Sequence, residues 1–114
     1  MTDRELLELA AKAAGLTLKW GEVYVVGDDE VDCTDMPYVV SGQPDEADWH
    51  WNPLADDGDA LRLQIALGLC VEVLPKRMEP FTRVGHIEEE HRDDPCAATR
   101  RAIVRAAAEI GRAA

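Results

Sequence analysis

Between Trp20 and Leu61 the chain holds no lysine and no arginine. Twelve acids stand in that window: Glu22, Asp28, Asp29, Glu30, Asp32, Asp35, Asp45, Glu46, Asp48, Asp56, Asp57 and Asp59. They carry -12 against a formal charge of -11 for the whole chain, so everything outside the window sums to +1. A field of that sign repels nucleic-acid phosphate and acidic lipid surfaces and attracts cations or basic proteins. Direct binding of nucleic acid or membrane is therefore disfavoured.

Other shortages narrow the chemistry. Ser41 is the only serine and no GxSxG occurs, which argues against a serine nucleophile. Cys33, Cys70 and Cys96 are too widely spaced for a CxxC zinc or redox pair, so reduced thiols are expected, with Cys70 packed as a small hydrophobe in LGLCVEVL. A pairing of Cys33 with His50 stays open, because loops can bring distant residues together. His86 and His91 are five apart, unlike the i, i+4 ligands of HExxH. The run from Asp28 to Asp32 lacks the alternating acids, central glycine and closing glutamate of a calcium loop. No glycine loop of the GxxxxGK type is present. No catalytic residue, metal or cofactor is expected. No apolar run approaches the roughly 20 residues that span a bilayer, and MTDRELLELA lacks the basic start of a signal peptide. A cytoplasmic protein is the resulting expectation.

What remains suits one domain over residues 1–114, with an acidic, loop-rich region at 20–56. Only six residues are aromatic, so the core must be mainly Leu, Ile, Val and Ala. Thr2 and Glu5 form a capping box ahead of a helix with an apolar stripe at Leu6, Leu9, Ala10 and Ala13, closed by Gly15. Two β-prone runs follow, Leu16 to Trp20 and Glu22 to Val26, with Gly21 between them and Gly27-Asp28-Asp29 as a turn. From Gly27 to Ala47 mostly loop is expected, with a brief strand in MPYVV. Trp49 and Trp51 alternate with His50 and Asn52, which in extended chain puts both indoles on one face. They are read equally as core or as interface anchors, whereas Trp20 is expected in the core.

Asp56 or Asp57 caps a second helix to Leu67, and Asp59 favours its first turn. Leu61 and Ile65 beside the Ala60, Leu63, Leu67 stripe predict a well-buried helix closed by Gly68. Leu69 to Leu74 reads as a central strand before a Pro75-Lys76-Arg77 turn, Phe81 to Glu88 as its hairpin partner, and EEEHRDD as a solvated charge run. Asp94 caps a last helix with Pro95 at its first position, buried through Ala102, Ile103, Ala106, Ala107 and Ile110 and ended by Gly111. The fold class is α+β, a mostly antiparallel sheet with helices packed on its faces as an α/β/α sandwich, in the order α-β-β-(β)-α-β-β-α.

Trp51-Asn52-Pro53 leading through Asp56 and Asp57 into ALRL, and Asp94-Pro95 with Ala97 to Ala107, resemble the phage ABA sandwich domain family over Trp51 to Ile110. The resemblance implies a sheet between helical layers and a phage context, and it implies no catalytic residues. Joined to the charge map, it leads to the expectation of an acidic phage accessory protein in the host cytoplasm. Asp28, Asp29, Glu30, Asp32, Asp45, Glu46 and Asp48, with Trp49 and Trp51, would bind a basic host protein, mimicking phosphates in the manner of an anti-CRISPR inhibitor. The alternatives are a small-molecule or metal binder, or a cryptic enzyme, using a cleft near the long loop with His50, His86 or Arg101, and an assembly component that oligomerises.

Overall fold

The computed structural model describes residues 1–76 and 78–114. Each helix starts where a short polar side chain can take up a free backbone donor. Helix α1 (Asp3–Ala13) opens with Thr2 Oγ1 accepting the Glu5 N–H at 3.1 Å. Helix α2 (Asp57–Leu67) opens with Asp56 accepting the Asp59 N–H at 2.8 Å and closes at left-handed Gly68. In α3 (Pro95–Ala113), Asp94 accepts the Ala97 N–H at 3.0 Å.

The strands are β1 (Thr17–Trp20), β2 (Val23–Val26), β3 (Asp29–Asp32), β4 (Pro37–Val40), β5 (Trp49–His50), β6 (Val71–Leu74), β7 (Phe81–Val84) and β8 (Ile87–Glu90). Every pairing is antiparallel, and the fold is α+β with the element order roughly as expected. Among the described residues the strands divide among three sheets, ordered β1-β4-β5, β2-β3 and β6-β7-β8. Helices α1 and α3 pack most extensively on each other, α3 also covers β7 and β8, and β1 lies against α1.

The core is aliphatic and small-residue rich, as the scarcity of aromatics requires. Leu6, Leu7, Ala10 and Ala11 of α1 meet Ala102, Ile103, Val104 and Ala106 to Ala108 of α3, with Val39, Leu63, Val84 and Ile87 closing the sides. The close approach of the two helices depends on Gly111: a Cβ there would collide with the Leu9 carbonyl of α1. Gly111 therefore lies buried inside α3 instead of ending it, and Ile110 faces out at 42% exposure.

Several local expectations are corrected. Helix α2 is buried at Asp59, Ala60 and Leu63, while Leu61 and Ile65 face outward, because among the described residues only α3 packs against it extensively. Strand β6 is an edge strand, and Cys70 before it is exposed. The segment read as one strand from Phe81 is two, β7 and β8, joined at Gly85 with its φ of 62°. The charge run thus supplies Glu88 to Glu90 of β8 and a buried His91. The run after Gly27 contains β3 as well as β4. Arg77, the third residue of the expected turn, lies outside the described residues. Among the described residues no helix is long and apolar enough to cross a membrane.

Candidate functional site: an acidic β-ribbon

Strands β2 and β3 continue the β1–β4 pairing beyond the core. Trp20 is opposite Pro37 in one ladder and Val23 opposite Asp32 in the next, with Gly21 N–H donating to the Met36 carbonyl and Cys33 N–H to the Glu22 carbonyl between them. Gly21 sits where backbone meets backbone: a Cβ would collide with the Cys33 carbonyl. The hairpin closes through Gly27-Asp28, Gly27 taking a φ of 64° as the first turn position of a type II′ hairpin favours.

All eight residues of β2 and β3 are exposed, including Val25 at 71% and Val26 at 65%. Alternation places Tyr24, Val26, Asp29 and Val31 on one face and Val23, Val25, Glu30 and Asp32 on the other. This is an apolar ribbon edged with acid, and neither face is covered by the core.

The charge distribution divides along the same line. In the body, Arg62 bonds Asp59 at 2.8 Å, Arg100 bonds Asp57 at 2.7 Å, and Arg101 and Arg105 reach Asp3 and Glu89 at 2.9 and 2.8 Å. Arg62 also stands 3.8 Å from Asp56. Asp59 in addition accepts the Asn52 N–H at 2.9 Å, so the DDGD acids of the window serve helix capping and internal pairing. From Glu22 to Asp48 every acid is exposed and, among the described residues, none forms an ion pair. Asp32 accepts the Thr34 hydroxyl at 2.6 Å and the Thr34 N–H at 2.9 Å, and these bonds hold its carboxyl below the ordinary aspartate range.

The expected binding residues do not form a single patch. Asp28, Asp29, Glu30 and Asp32 share the ribbon tip and β3. Asp45, Glu46 and Asp48 lie past the other end of β4, where Asp48 accepts the Ser41 N–H at 3.3 Å. The length of β4, about 13 Å at ~3.3 Å per residue, stands between the two groups. Trp49 is exposed at 44%, whereas Trp51 is buried at 4%, which removes Trp51 from any contact surface. The indoles part company because β5 ends at His50 and the chain turns toward buried Pro53. Trp20 is half-buried, its Nε1 donating to Glu8 at 3.1 Å under the Arg4 guanidinium.

The alternative site residues are dispersed. His86 is exposed and bonds Glu109 at 3.0 Å, Arg101 is held by Asp3, and His50 lies exposed on β5. The cleft beside Arg101 is lined by neither histidine. No hydrogen bond joins Cys33 to His50, and no three His, Cys, Asp or Glu side chains converge as a metal requires, among the described residues. One polar cluster was hidden in the charge run: buried Thr82 Oγ1 lies 2.8 Å from His91 Nε2 and 2.7 Å from Thr99 Oγ1. The Thr82 hydroxyl thus links His91 and Thr99 and ties β7 to α3.

No family model matches the chain, no curated protein matches it, and no solved structure matches it.

Proposed function

We propose that the protein acts by binding, its acidic ribbon docking on a basic surface of a host protein and competing there with phosphate. The observation that carries this reading is the split in charge pairing: among the described residues most acids of the body, eight of fourteen, pair with arginines, while no acid from Glu22 to Asp48 has an internal cation. Those of them on the ribbon, Glu22, Asp28, Asp29, Glu30 and Asp32, repel one another, a cost that a basic partner relieves while long-range attraction speeds the encounter. The exposed valines and Tyr24 add apolar area at the same place. The phage setting comes from the resemblance of the Trp51 to Ile110 segment, and with it the role of an accessory protein that blocks a nucleic-acid-handling host factor.

The test is capture of host proteins on the immobilised protein at low and high salt, beside D28K/D29K/E30K. A basic protein retained at low salt, released at high salt and lost from the variant, whose melting temperature stays unchanged, supports the reading. Retention of the same protein by the charge-reversed variant removes it.

A further inference from the structure

The ribbon has two free edges, and they differ. The Cys33 N–H donates to the Glu22 carbonyl, so residues 22, 24 and 26 of one strand and 29, 31 and 33 of the other turn their backbone groups inward. By alternation, Glu30 and Asp32 point their N–H and C=O groups away from β2, as Val23 and Val25 do on the opposite side. Resting on the reading above, we infer that the outer edge of β3 is a strand-pairing site for an extended basic segment of the partner. That segment runs antiparallel to β3, with cations opposite Glu30 and Asp32 and an apolar residue opposite Val31.

Charge selects this occupant. Directly opposed residues on one face interact, opposite charges favourably and like charges unfavourably. A second copy laid on β3 brings carboxylate against carboxylate, whereas lysine or arginine at alternate positions meets Glu30 and Asp32. Charged side chains on a free edge ordinarily guard against adventitious pairing. Here they are all of one sign, so they turn away the chain's own copies and admit a basic strand. Val31, 44% exposed, continues the Tyr24 and Val26 face and offers apolar contact to the residue between the cations. On the β2 edge Val23 and Val25 carry no charge, and nothing there selects a partner.

The experiment uses a short peptide alternating lysine and valine, with a block-sorted peptide of the same composition, titrated onto the intact protein by calorimetry. The alternating peptide should bind about tenfold tighter, the order that a few cross-strand pairs supply. Methylating its lysine backbone nitrogens, which face β3, should abolish that preference, while methylating the valine nitrogens should leave it. Glu30→Pro, which removes an outward N–H that the hairpin does not use, should bind about tenfold more weakly than Glu30→Gln, and Val25→Pro, which alters the opposite edge, should keep the preference for the alternating over the block-sorted peptide. Equal binding of the two peptides with persistent salt dependence overturns edge pairing and leaves the basic-partner reading intact. Equal binding of the two methylated forms also overturns it. Failure of both peptides to bind overturns it as well, and the capture experiment then judges the broader reading separately.

Discussion

The body and the ribbon of this molecule treat the same residue types in opposite ways. In the body, valines such as Val39 and Val104 are buried and acids such as Asp59 are bonded to arginine and to backbone. In the ribbon, Val25 and Val26 face solvent and Asp28 to Glu30 have no ion-pair partner among the described residues. Stability is therefore concentrated in the body, while the ribbon leaves its apolar area and its charge available to another molecule. Substitutions in the two regions should separate accordingly, those in the body acting on unfolding and those in the ribbon on association.

The two tryptophans around His50 give the largest expected contrast. Trp51→Ala removes a buried indole and should cost about 3–5 kcal/mol. Trp49→Ala, at an exposed position, should stay within about 0.5 kcal/mol. Denaturant unfolding of both variants checks this; equal losses would mean that the β5 end of the molecule belongs to the body as much as Trp51 does.

A smaller effect tests how tightly the body is closed. Alanine is a better helix former than glycine by about 1 kcal/mol, so propensity alone makes Gly111→Ala stabilising. The Leu9 carbonyl opposes it, since backbone cannot swing aside as a side chain end can. Overpacking of this kind costs about 1–3 kcal/mol, and a net loss of about 1 kcal/mol is expected. A rise in the denaturation midpoint would show that α1 and α3 have room to separate.

Much of the body was legible because its signals are local. Thr2, Asp56 and Asp94 cap helices through their own first turns, and Pro95 follows its cap as a sequence rule anticipates. Where burial depends on a distant neighbour, periodicity misled. Leu61 and Ile65 have the spacing of a buried helix but lack a second element to cover them, and Gly111 looks like a helix end because the approach of α1 leaves no local trace. The ribbon was the least legible part. Strand patterns arise when one face is buried and the other wet, and β3, Asp29–Asp32, has no buried face to write such a pattern. Its acids were visible at once, yet their division into two groups at either end of β4 follows only from the strand register.

The smallest expected effect sharpens the comparison at a single carboxylate. Asp32 has its pKa lowered first by the Thr34 hydroxyl and then by the Thr34 N–H. A depressed folded-state value contributes stability that is present above the unfolded pKa and is lost as pH falls through the folded one, so the window lies at and below the ordinary aspartate range. Thr34→Ala removes the hydroxyl and keeps the N–H, and the Asp32 titration midpoint, followed by carboxyl NMR, should rise part of the way back. The matching loss of stability is present at neutral pH, but because Asp32 is fully exposed and solvent screens it, it should be too small to shift the melting temperature measurably. Loss of the carboxylate at Asp59 should lower it, since that change strips both a half-buried backbone N–H of Asn52 and the Arg62 guanidinium of their acceptor. An unmoved Asp32 midpoint in Thr34→Ala would mean that this turn does not order the carboxylate in solution, and that the acidic edge carries no fixed charge at that position.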